Sequence, residues 1–133
     1  MLIALCPALL FGQDVTVNIR LFNGRNGKPI TDENLNVWFD NATGSRLFRP
    51  DQNGIIKLVV ARDGVLSFGP NVELTCHPYG KEEHSLRKYK VSAILENGVA
   101  DQNLCSTKVH VKANPGEFVF FERPRTFWEW MRE

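Results

Sequence analysis

The stretch DVTVNIRLFNGRNGKPITDENLNVWFD, Asp14 to Asp40, decides how this chain is to be read. Its opening alternates. Val15, Val17, Ile19 and Leu21 fall on one face, with Thr16, Asn18 and Arg20 on the other. That period marks a half-buried strand. Its close repeats the device, with Leu35, Val37 and Phe39 set against Asn36, Trp38 and Asp40. The glycine-rich run between them, with Lys28 close behind, is either a phosphate cradle or a connection between strands. A phosphate loop needs G-x-x-x-x-G-K-[ST] leading into a helix. Gly24-Arg25-Asn26-Gly27-Lys28 has the wrong spacing, and Pro29 stands where the hydroxyl should be. A strand follows, so no helix N-terminus is there to hold an anion. The run is a connection.

Outward from this stretch the same period recurs. GIIKLVVA places Ile56, Leu58 and Val60 together, and NVELTCHP does so for Val72, Leu74 and Cys76. Cys76 is therefore expected to point inward and the adjacent His77 outward. RKYKVSAIL, with Tyr89, Val91, Ala93 and Leu95, reads as a further strand, and KVHVK alternates cleanly. EFVFFERP is apolar on both faces, which predicts a central strand or one covered by another element. Asn-Gly pairs at 23–24, 26–27, 53–54 and 97–98 supply turn residues, as do Gly69-Pro70 and Asn114-Pro115-Gly116. No stretch before residue 124 shows a helical period. Short strands at this spacing predict an all-β fold, a seven- or eight-stranded Ig-like β-sandwich over residues 13–123.

The ends differ in character. Met1 to Gly12 is almost wholly apolar, too short to span a bilayer, and has the length of a signal-peptide core. No Lys or Arg precedes it, so either the true start lies upstream or the segment is something else; the expectation is a signal peptide over residues 1–12. An apolar first strand is the alternative, and Pro7 with the lack of alternation argues against it. At the other end, residues 124–133 form a predicted aromatic helix, with Thr126 and Glu129 spaced as a capping box. Phe127, Trp128 and Trp130 crowd this segment. Either they dock on the sandwich and cover the apolar strand before them, or they form an exposed patch for a partner or a membrane surface.

The chain carries Cys6, Cys76 and Cys105. Removal of Cys6 with a leader leaves an even pair, and exported domains of this size commonly use one bridge. A Cys76–Cys105 disulfide is expected, with two buried free thiols as the alternative. Localisation is then the periplasm, the cell envelope or the extracellular space. The chain is 133 residues long, one domain's worth, with a formal net charge of +1. A face rich in Lys and Arg is not expected, nor therefore nucleic-acid binding.

At this point the residues resemble a known family. A strand, then GRNGKPITDENLNVWF, then RPDQNGIIKLVV, is similar to carboxypeptidase-regulatory-like and other prealbumin-like (transthyretin-like) domains. Gly27-Lys28-Pro29-Ile30 matches their first turn, and Leu35 and Val37 match the strand after it. Asp51-Gln52-Asn53-Gly54 matches a later turn, with Pro50 in place of the usual Thr. The likeness covers about residues 14 to 61, and ANPGEFVFFERPRTFWEWM looks like the ending of small exported bacterial proteins. It implies a seven-stranded sandwich with a non-catalytic role and brings no active site. The hydroxyisourate hydrolase shares the prealbumin-like fold but ends in Tyr-Arg-Gly-Ser. This chain ends in Met-Arg-Glu, so no residue is carried across.

Chemistry beyond this is sparse. His77, His84 and His110 have no zinc-ligand spacing with one another or with Cys76, and all three are expected to be partly exposed. DQNG at Asp51 begins like a calcium loop but lacks its later ligands, and an Asx turn accounts for it. No G-x-S-x-G occurs. Asn41-Ala42-Thr43, a formal glycosylation acceptor, reads as a turn in a bacterial chain. No cofactor and no catalytic residue is assigned. The expectation is a non-enzymatic binding or structural module that meets an unidentified protein or envelope component through sandwich-end loops or the tail. A small hydrolase with a site assembled from distant His and Asp residues is the alternative.

Overall fold

The computed structural model describes residues 13–40, 44–70, 74–77, 86–124, 128 and 131. Residues 1–12, Asn41 to Thr43, Val72, His84, Phe127, Trp130, Thr126 and Glu129, on which several of the sequence expectations fall, lie outside these. In chain order the elements are β1 (Asp14–Asn23), β2 (Leu35–Phe39), β3 (Ser45–Phe48), β4 (Ile55–Ala61) and β5 (Val65–Pro70). There follow β6 (Leu74–Thr75), β7 (Tyr89–Lys90), α1 (Val91–Asn97), β8 (Val99–Ala100) and β9 (Glu117–Arg123).

Two sheets pack together as a β-sandwich. One has the order β4-β1-β9-β6, with β8 also paired to β9. The other runs β3-β2-β5-β7. The alternation read from the sequence sets the inner faces. Val17, Ile19 and Leu21 of β1, Leu35 and Val37 of β2, and Ile56, Leu58 and Val60 of β4 are all buried in one cluster. Aromatic rings knit the sheets across the gap. Phe68 of β5 stacks on Phe118 of β9 with centroids 4.4 Å apart, and Tyr89 of β7 meets Phe118 edge-on at 4.6 Å. Such pairs add to the burial of two large side chains.

The glycine-rich connection is a tight return on the end of β1. Gly27 N–H donates to the Asn23 carbonyl at 2.8 Å, and Asn23 N–H to the Lys28 carbonyl at 2.8 Å. Asn23 and Asn26 side chains accept from the amides of Arg25 and Lys28 two residues on. Gly27 has φ +76°, which its lack of a Cβ makes cheap. The Asp51 side chain does the same work ahead of β4, accepting from the Asn53 and Ile55 amides. This is the expected Asx turn.

Strand β9 meets both halves of its expectation. It is central, parallel to β1 on one side and flanked by β6 and β8 on the other. It is also covered. Phe118 and Phe120 face the core, while Val119 and Phe121 enter a second cluster on the opposite face of the sheet with Phe22 and Cys76.

Two of the expected strands fail, and Gly69-Pro70, expected as a turn, is the end of β5. RKYKVSAIL is not one strand, because only Tyr89–Lys90 pairs and Val91–Asn97 is helical. Val91 and Ile94 are buried while Ser92 and Ala93 are exposed, a helical spacing concealed inside an alternating run. So short a helix depends on its surroundings. Here Val91 N–H donates to the Gly64 carbonyl, and the Ile94 carbonyl accepts from Gly98 and Gly116. KVHVK joins no ladder among the described residues. Its period survives as burial alone, with Val109, Val111 and Ala113 packed inward and His110 and Lys112 exposed.

Candidate functional site

Residues 101–113 run across the outer face of the sheet at β9 as a strap. Their backbone has no ladder to hold it, so point contacts do the holding. Asp101 N–H donates to the Val119 carbonyl at 2.9 Å, and Leu104 N–H to the Cys76 carbonyl. The Cys76–Cys105 disulfide, with a sequence separation of 29, binds the strap to the chain just after β6. Asn103 is the second staple. Its Nδ2 donates to the Gly24 carbonyl at 2.9 Å and to the Val109 carbonyl at 3.3 Å, and its Oδ1 accepts from Cys105 N–H. Gly24, from the opening stretch, lies against this knot. A Cβ placed there would come within 2.5 Å of both Cys76 Sγ and Asn103 Oδ1. Its glycine is required by close approach.

The strap leaves a pocket of about 310 Å³ between itself and the sheet, reaching from Ala100 to Leu104 and from Val109 to Val111, with Phe121 from β9. That volume falls at the small end of ligand sites. Its polar groups come from Gln102, Asn103 and His110, its apolar wall from Phe121, Leu104 and the two valines. Leu104 stays 66% exposed.

Asp101 connects this pocket to the sandwich interior. Its side chain is only 4% exposed. Tyr89 Oη donates to Asp101 Oδ1 at 2.7 Å, and His77 Nε2 lies 3.5 Å from Asp101 Oδ2. The His77 ring meets Phe120 edge-on at 5.7 Å. His77 therefore points into the core with a side chain 3% exposed, against the expectation of an outward histidine. The alternation itself is correct, since Cys76 and His77 do face opposite ways. Cys76 faces the strap layer, which leaves the space between the sheets for His77. A buried pair of this kind is strongly destabilising to break, because one charged or polar partner is then left inside without the other.

Of the residues singled out from sequence, Cys76 and Cys105 are joined as expected. Trp128 and Met131 are helical and exposed at 69% and 62%. Among the described residues the outer face of β9 is covered by the strap, with Cys105, Val109, Val111 and Ala113 packed on its cluster. His110 is exposed at the pocket, apart from the buried His77. Sequence reasoning missed Asp101, Asn103 and Tyr89 as a site. Only the assembled layers bring them together. Among the described residues no helix is long and apolar enough to cross a membrane. Compared with protein-family models, curated proteins and solved structures, the chain has no match.

Proposed function

We propose that this chain is an exported, non-enzymatic binding module of the prealbumin-like, Ig-like kind, and that its ligand site is the pocket under the strap. The observation that carries this reading is the disulfide-held strap, which holds a small concave site against the outer face of β9. A bridge of this kind persists in oxidising compartments, in keeping with export. Preorganised walls lower the ordering cost of binding. The test is amide and methyl NMR of the folded, oxidised protein against a library of small organic molecules. Shifts clustered at Asn103, Leu104, Val109, Val111 and Phe121 are expected. Shifts only elsewhere, or none, would overturn the site.

A second reading has its own support. The buried His77–Asp101 pair with Tyr89 is the kind of grouping a hydrolase could use for proton transfer. Turnover of a panel of esters, glycosides or ureides, lost in His77→Gln with the fold retained, would replace the binding reading with this one.

A further inference from the structure

We propose that the pocket selects an organic anion carrying an apolar body; this rests on the reading of the pocket as the ligand site. Overall the charges nearly cancel, with 16 Lys and Arg against 15 Asp and Glu. They are not evenly spread. Residues 15–31 hold Arg20, Arg25 and Lys28 with no Asp or Glu, and residues 102–116 hold Lys108, Lys112 and His110, again with none. The fold places these two acid-free segments side by side. Asn103 bonds to the Gly24 carbonyl, and a Cβ on Gly27 would touch Val109 Cγ1 at 3.4 Å. Lys and Arg residues from two acid-free segments are thus brought together, where a face rich in them is not expected from sequence.

Three acids beside these segments are already engaged. Glu117 accepts from Arg20 at 3.2 Å and from the Asn114 amide. Asp101 turns its carboxylate inward to Tyr89 and His77. Glu122 is wholly buried. Arg25, Lys28, Lys108 and Lys112 are exposed, and among the described residues none of the four forms an ion pair. His110 enters the pocket wall, and Lys108 and Lys112 stand at alternate positions on either side of it in the strap. An acid head near His110 would therefore meet positive charge, while Phe121, Leu104 and Val111 receive the apolar body. Exposed charges of this type attract weakly and are screened by salt. The selectivity they give is about tenfold at low ionic strength and shrinks as salt is added.

The experiment titrates the oxidised protein with 2-naphthoate, 2-naphthamide and 2-naphthylmethylamine, read by NMR shifts at the pocket residues and by calorimetry. Naphthoate is expected to bind about tenfold tighter than the amide and the amine most weakly, with the gap narrowing from 20 to 300 mM NaCl. The Lys108→Gln, Lys112→Gln variant, checked for fold by circular dichroism, should bind naphthoate no better than the amide. Equal affinities for naphthoate and naphthamide in the native protein overturn the anion preference while leaving the pocket as a binding site. A preference that survives the double variant overturns it also. Failure of all three compounds to shift any pocket residue overturns both readings together.

Discussion

The two apolar clusters of this protein are built by different means. Between the sheets, Val17, Leu21, Val37, Leu66, Phe68 and Phe118 are held by strand ladders on both sides. On the outer face, Phe22, Val119 and Phe121 are covered by a strap that has no ladder of its own, and one disulfide, one asparagine and two backbone bonds to Asp101 and Leu104 take its place. The difference teaches that a period-two sequence can cover a sheet without joining one. It also locates the pocket. A ladder draws strands to hydrogen-bonding distance along their whole length, whereas staples at a few points leave room between them.

Large-to-small substitutions put this contrast under the greatest strain. Phe118→Ala is expected to cost about 3–5 kcal/mol, because two sheets cannot close around the missing ring. Phe121→Ala should cost about 2 kcal/mol less, since Phe121 borders the pocket and its loss enlarges an existing opening rather than leaving a closed cavity between two sheets. Urea denaturation of both variants measures this, and equal losses would mean that the outer layer is as rigid as the core.

Next in size is the staple itself. Replacing Cys76 and Cys105 together by Ala should cost about 3–4 kcal/mol on the chain-entropy treatment for this loop. Gly24→Ala should cost about 1–3 kcal/mol in the native background, by overpacking against Cys76 Sγ. In the cysteine-free background that sulfur is gone, so the Gly24→Ala cost should fall. An unchanged cost would show that Gly24 is needed for some reason other than the bridge. The smallest of these effects belongs to Asn103→Ala, about 1–2 kcal/mol from its lost bonds. Faster hydrogen exchange at the Cys105 amide, with no change at the β1–β4 ladder, would sharpen the picture of an independently held layer.

Much of the inner cluster was legible in the chain. In β1, β2 and β4 one face is wet and the other dry, and alternation reports that directly. The doubly apolar β9 also declared its place. The bridge followed from the parity of the cysteines after position 12. What could not be read was the third layer. Alternation sends His77 to solvent once Cys76 is placed in the core. Parity fixes only that two neighbours point apart, and it does not say which side is the deeper one. Val91–Asn97 was hidden because Val91, Ala93 and Leu95 satisfy period two while Val91 and Ile94 satisfy the helix. Contacts with Gly64 and Gly116, remote in sequence, decide between them. Asn103 carries no sequence signal, since its partners Gly24 and Val109 become neighbours only after folding.

The parallel register of β1 with β9 has a mechanical consequence. Asn18 lies beside Glu117 and Asn23 beside Glu122, so Asp14 and Arg123 leave the sheet at opposite ends. Tension applied at those two residues would slide the strands lengthwise and load all their shared bonds at once. At β3, on the rim of the other sheet, tension could unzip bonds one by one. Single-molecule stretching between residues 14 and 123 should meet a sharp resisting peak. A featureless extension would show that the seam yields piecemeal.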